Sequence, residues 1–204
     1  MCKIPEIKDE VRYNKTHNYF TKKAKYCQCN LDRLMKTKKS KKRLRKKISI
    51  WLINHFFCGQ RFYSIKRALL RGCGLQVGDG TKIVGPISFG SAIQIEIGRD
   101  VFLNHHAYFE GNGSVHIGDN CDIAPFVVFL TGSHDIGGGE RRAGDGRILS
   151  ISIGAGSWIG ARSTLLGCTI ENGCIVGCGS TVTSPNIVAN SVVHGEKAKI
   201  TKKL

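Results

Sequence analysis

The sequence predicts an all-β fold, a parallel β-helix of about six coils, behind a basic and partly helical N-terminal extension. Three observations predict it. From Val77 onward a small aliphatic residue recurs every six positions, usually followed by Gly or Ala, as in IGDNCD, IAPFVV, IGAGSW, IGARST and IENGCI. A period of six is neither helical nor a simple strand alternation, and it marks a hexapeptide solenoid. Charge divides the chain at the same place: residues 1–70 hold 20 Lys/Arg against 4 Asp/Glu, and residues 71–204 hold 11 of each. Finally, one stretch breaks the hexads, FLTGSHDIGGGERRAGDGRILS (129–150), and it carries an isolated histidine, His134.

The N-terminal segment accounts for the whole net charge of +16. Residues 36–47, KTKKSKKRLRKK, are a basic run, and residues 48–72 carry a helical apolar pattern through Trp51, Leu52, Phe56, Ile65, Leu69 and Leu70, ended by Gly72 and Gly74. A polybasic run before an apolar helix is attracted to anionic lipid, so residues 36–58 are a candidate peripheral membrane contact. The competing expectation is that the helices cap the end of the solenoid prism or link subunits, with their lysines in water; packing is the expectation for 48–72, and the Lys run stays open between the two. The apolar cluster ISIWLINHFFC (48–58) is too short to span a bilayer, and MCKIPEIKDE lacks the apolar core of a signal peptide. A cytoplasmic setting, at most peripheral at the inner membrane face, is the expectation. The nine cysteines include no C-x-x-C pair, which leaves a zinc ribbon unsupported. Residues 71–204, the solenoid of 75–200 among them, have no basic bias that argues for nucleic acid.

In the solenoid, three hexads form a triangular coil of about 18 residues that stacks ~4.8 Å above the last. The aliphatic residue opening each hexad points inward and stacks on its equivalent, and Ile153, Ile170 and Val188 are expected to form one column. Ile97 and Ile117 are 20 residues apart, so FEGNGS holds two extra residues; Ile153 and Ile170 are 17 apart, so LLGCT is one short. Residues 131–150 project as a loop, and residues 201–204 form a tail.

Three segments carry a family resemblance: IGRDVFLNHHAYF (97–109), IGDNCDIAPFVVFLTGSH (117–134) and IGAGSWIGARSTLLGCTIENGCIVGCGSTVT (153–183). They resemble the left-handed β-helix acyltransferases of the hexapeptide-repeat superfamily, nearest the maltose and galactoside O-acetyltransferases, and are similar to O-acetyltransferases of polysaccharide biosynthesis. The resemblance implies acetyl-CoA as co-substrate with no metal, a homotrimer with sites between subunits, and a sugar or glycan acceptor that lipid-linked glycans would fit.

By the same resemblance His134 is the catalytic base. An acceptor hydroxyl must lose a proton as it attacks a thioester, and imidazole titrates near neutral pH and can take it. Asp135 or Glu140 are candidates to orient the ring. Asn104 matches the Asn that contacts the acceptor, and an amide can donate and accept together. Asn112 and Glu110 fall where further acceptor contacts lie. Arg141 and Arg142 offer forks for carboxylate or phosphate on an acceptor. Trp158 is too large for the coil interior, so it projects outward to wall the pantetheine arm. Ala161, Cys178 and Thr183 match small or polar CoA-groove positions, and Lys199 matches a phosphate-binding cation. Cys178 departs from the usual Ala and is expected to pack; Ser184 departs from a frequent Lys, shifting weight to Lys199, Lys202 or Lys203. His105 and His106 are expected at the surface or a subunit contact.

Other readings are an amino-sugar N-acetyltransferase, a γ-class carbonic-anhydrase-like hydratase and a non-catalytic β-helix scaffold. The hydratase calls for an H-x4-H pair, and residue 139 is Gly. The scaffold has no need of the His134 insertion. A nucleotidyltransferase fusion is excluded, because residues 1–70 are too short and too basic for its second domain.

Overall fold

The structure, a computed structural model, describes residues 40–90, 92–183, 185–196 and 199–203, the last five by backbone alone. The chain divides into residues 1–42, of which 40–42 are described, and the unit Arg43–Leu204.

That unit is a parallel β-helix. Three sheets of six, seven and five strands form its faces. The interior column of the first face is Val77, Ile97, Ile117, Ile153, Ile170 and Ile187. The second face contributes Ile83, Leu103, Ile123, Ile159, Val176 and Val193. The third contributes Phe89, Phe109, Phe129, Leu165 and Val182. Every one of these side chains is buried, and together they form one continuous core.

The pairings show where the hexads stretch and shrink. The first two corners of each coil keep a six-residue step. All variation falls at the third corner: Phe89 to Ile97 and Phe109 to Ile117 are long, Leu165 to Ile170 and Val182 to Ile187 are short, and Phe129 to Ile153 holds the insertion. Long coils accommodate Phe on the third face, and short coils take Leu165 and Val182. The expected column Ile153–Ile170–Val188 is therefore corrected to Ile153–Ile170–Ile187, because a second short corner precedes Ile187; Val188 is 38% exposed. The two-residue extension expected only before Ile117 also precedes Ile97.

The helical stretch expected over 48–72 is two helices. The first, α1, runs through residues 40–55, and the second, α2, is Tyr63–Gly72. Left-handed backbone at Gly59 and Phe62 separates them. Their cations have a specific task. In this fold the amides of each coil donate to carbonyls of the next, as Gly78 does to Ile97 and Ser88 to Ala107, so the carbonyls of the first coil face outward with no preceding coil. An open row of acceptors is an edge that invites association. Lys46 Nζ donates to Gly90 O at 2.7 Å and Ile93 O at 3.3 Å, and Lys66 Nζ to Ile83 O at 2.8 Å and to Gly59 O. Arg67 reaches Thr81 O at 2.9 Å, Arg71 reaches Val77 O at 2.7 Å, and Asn54 pairs with both the amide and the carbonyl of Ile87. Lys46 and Lys66 are buried, and desolvation lowers the Lys66 pKa below its ordinary value. At the opposite end the tail expected at 201–204 continues a strand, Lys199–Lys203, antiparallel to Ser191–His194.

Candidate active site

The insertion at the third corner is a β-hairpin rather than the loop expected. Its strands, Gly132–Ile136 and Ala143–Ile148, pair antiparallel with Gly132 opposite Ile148 and His134 opposite Gly146. Its root is closed by Thr131, which is fully buried: Thr131 Oγ1 donates to Glu110 O at 3.0 Å and accepts from Gly113 N at 3.1 Å, while Leu149 N donates to Thr131 O at 2.9 Å. Gly113 is required there, since a Cβ would lie 1.8 Å from Leu149 O. The GGGERR segment forms the turn, with Gly137 N donating to Arg142 O at 2.9 Å.

His134 is exposed on the first hairpin strand, and its Nδ1 lies 3.0 Å from the carbonyl oxygen of Gly144. A carbonyl only accepts, so Nδ1 carries the proton in this bond and the lone pair of the neutral ring is on Nε2. The orienting group is thus a backbone carbonyl on the facing strand, brought close by the antiparallel pairing. Neither Asp135 nor Glu140 holds the ring. Asp135 Oδ1 lies 3.7 Å from Arg147 Nε, an exposed pair of small energetic weight.

Other candidates share the third-corner edge with His134. Arg141 and Arg142 are exposed at the hairpin turn. Asn112 lines a cleft of ≈ 410 Å³ at the hairpin root with Gln94, Gly113, Ser114, Ile148, Leu149 and Ser150. Glu110 accepts a hydrogen bond from the Tyr108 hydroxyl at 3.0 Å, and that bond, with the carboxylate's charge behind it, raises the Tyr108 pKa. Thr183 is exposed two coils further along.

A second group lies elsewhere. Asn104, Ala161 and Cys178 occupy the corner between the second and third faces, on the second, fourth and fifth coils, and Gly179 N donates to Ala161 O at 2.8 Å. This edge is one face away from His134, about 20 Å at ~3.3 Å per residue over six residues. Within one chain Asn104 and His134 stand at different corners of the prism. Asn104 is half-buried, and its Oδ1 accepts from His105 N at 2.9 Å. Next to it His106 stacks on Phe126 at 4.5 Å, with the Arg162 guanidinium 5.9 Å from the Phe126 ring. Trp158 projects outward from the second face, 52% exposed, between Asp122 and Ile175 of the adjoining coils.

Cys178 does not pack as expected: it is exposed at its corner, whereas Cys121, Cys168 and Cys174 are buried. Burial raises the Cys121 pKa and pushes the Cys168 thiol up to about 12. The side chains of Ser184, Lys199, Lys202 and Lys203 lie outside the described residues. Among the described residues no group of three or more His, Cys, Asp or Glu is placed to hold a metal ion.

No family model matches the chain. It is 31% identical over 155 residues to the galactoside O-acetyltransferase of Escherichia coli (strain K12), an alignment covering 74% of this chain and 75% of that protein. The chain belongs to the hexapeptide-repeat acyltransferases, in the galactoside and maltose O-acetyltransferase branch. Two solved structures match this acetyltransferase along most of its length. A galactoside acetyltransferase in complex with coenzyme A has a TM-score of 0.68 and 28% identity over 81% of this chain and 82% of that chain. A hexapeptide-repeat acetyltransferase from Vibrio cholerae O1 biovar eltor, complexed with acetyl coenzyme A, has a TM-score of 0.69 and 25% identity over 81% and 88%. This acyltransferase takes acetyl-CoA as its co-substrate. Among its described residues no helix is long and apolar enough to cross a membrane.

Proposed function

We propose that this enzyme transfers the acetyl group of acetyl-CoA to a hydroxyl of a sugar or glycan in surface-polysaccharide assembly, with His134 as general base. The observation that carries the proposal is the bond from His134 Nδ1 to Gly144 O, which leaves Nε2 free on an exposed ring. Nε2 takes the proton of the acceptor hydroxyl as its oxygen attacks the thioester carbonyl. The tetrahedral intermediate collapses, the carbon–sulfur bond breaks, and the imidazolium returns the proton to the departing thiolate. The products are an acetyl ester and CoA thiol, and no covalent acyl-enzyme forms.

The separation of the two edges supports a homotrimer in which His134 of one chain faces a neighbour's corner bearing Asn104, Ala161 and Cys178. Small residues on that corner leave its backbone open for the pantetheine amides, with Gly160, Ala161, Gly177, Cys178 and Gly179 in two adjoining coils. Trp158 walls the arm, Thr183 borders the groove and Lys199 meets phosphate. Asn104, Asn112 and Glu110 grip acceptor hydroxyls, and Arg141 and Arg142 receive an anionic group of the glycan.

A panel of neutral, amino and acidic sugars with lipid-linked glycans, followed by thiol release from acetyl-CoA and product mass, tests this reading. The expected product is an alkali-labile ester formed in step with thiol. An alkali-stable amide on amino sugars alone would favour N-transfer and contradict the proposal.

A further inference from the structure

The helix α1 is apolar on the side that faces away from the solenoid. Lys46, Ser49 and Ile53 point inward and are buried. At 100° per residue, Leu44, Ile48, Trp51 and His55 fall within a sector of about 60° on the opposite side. Leu44 is 59% exposed, Ile48 50% and Trp51 51%. Cations border this stripe on both flanks: Arg43 and Lys47 along one side, Arg45 along the other, all exposed. The stripe runs into an apolar groove of ≈ 460 Å³ between α1 and α2, lined by Ile48, Leu52, Ile65, Ala68 and Leu69. Trp51 also touches Phe56, which is 64% exposed, with ring centroids 5.3 Å apart.

We infer that this face docks on an anionic lipid bilayer, with α1 lying in the plane of the interface. Leu44, Ile48 and Trp51 enter the headgroup–acyl boundary, and Arg43, Arg45 and Lys47 meet lipid phosphates. An amphipathic helix of this kind sinks about 5–10 Å into that boundary, and indole favours the wet edge of an apolar layer. Charge selects the occupant. A two-fold contact with a second copy would set Arg43, Arg45 and Lys47 against their own equivalents, whereas an anionic surface is complementary to both flanks at once; a heterologous contact within a trimer is the case that the oligomer mass of Ile48→Glu reads. Docking would hold the enzyme where lipid-linked acceptors reside, yet the inference stands on α1 alone and does not depend on the acceptor.

The test is co-sedimentation of the full chain with vesicles of phosphatidylglycerol and phosphatidylcholine, against vesicles of phosphatidylcholine alone, at low and high salt. Binding is expected to the anionic vesicles only, and to weaken with salt. Ile48→Glu and Trp51→Glu should each weaken it at least ~10-fold, and the triple change Arg43→Gln, Arg45→Gln, Lys47→Gln on the order of 100-fold. In a Trp158→Phe background, Trp51 emission should shift to the blue with anionic vesicles, a readout that needs no change on α1. Three results would overturn the inference: no binding to the anionic vesicles at low salt, binding indifferent to Ile48→Glu and Trp51→Glu, or an Ile48→Glu chain whose only change is a lower oligomer mass at sedimentation equilibrium. Neither acetyl-CoA nor an acceptor is present, so this outcome is separate from that of the acetyl-transfer reading.

Discussion

His134→Ala is expected to lower kcat for acetyl transfer by ~10²–10⁴, the usual weight of a positioned general base. The geometry also predicts how the loss divides. His134 stands exposed on a hairpin whose register is set by backbone pairing and by the Thr131 root, so the fold does not depend on its ring. The melting transition should therefore be unchanged. The base acts in the transition state rather than in ground-state binding, so KM for acetyl-CoA should move little while kcat and kcat/KM fall together. His134→Gln separates shape from basicity: its amide fills similar space but accepts no proton at neutral pH, so it should be nearly as inactive as alanine. Steady-state thiol release with the best acceptor, alongside a thermal melt, checks all three statements.

Phe109→Ala is expected to destabilise the protein by ~3–5 kcal/mol, the range for emptying a buried aromatic site. Phe109 is fully buried as the middle of the three phenylalanines in the third-face column, 4.9 Å from the Phe89 ring and 4.2 Å from a parallel Phe129 ring. Removing it takes a stacking partner from both neighbours and opens a cavity that the rigid coils close poorly. The column exists because its coils are long; the short coils take Leu165 and Val182 at the same position. In a solenoid each coil is stabilised by its neighbours, so the loss should propagate to the coil that carries the hairpin. Urea unfolding should show a lower midpoint with an unchanged slope. A loss under about 1 kcal/mol would mean that the cavity collapses and the three rings are not coupled.

Much of the solenoid was legible in the sequence because its physics is local. An inward residue every sixth position announces itself, and the hexads around Ile97, Ile117, Ile153 and Ile170 yielded the correct neighbours. The error at Val188 arose from assuming that only one corner was short, when Val182 to Ile187 repeats the same economy. The sequence offers the basic N-terminus as a lipid anchor or as a cap on the end of the solenoid, and α1 and α2 do cover the first coil. The expectation that its lysines stand in water fails at Lys46 and Lys66, because the carbonyls met by Lys46, Lys66, Arg67 and Arg71 become neighbours only through folding. The same holds for His134: its position in the insertion was plain, but Gly144 is ten residues away and reaches the ring only through hairpin pairing. The packing expected of Cys178 rests on Cys168 and Cys174 as small residues of the repeat; those two are buried, whereas the place of Cys178 in the repeat is a corner facing outward. The division of the candidates between two edges follows from register, and register needed the lengths of all the corners.

The proposed role of His134 turns on the hairpin, which presents Nε2 as a free base by engaging Nδ1. Long-range proton–nitrogen correlation NMR on protein labelled with nitrogen-15 in its histidines, with His134→Ala identifying the signal, measures this directly at a pH where the ring is neutral. A proton on Nδ1 and a bare Nε2 are expected. A His134 ring carrying its proton on Nε2 would contradict that role.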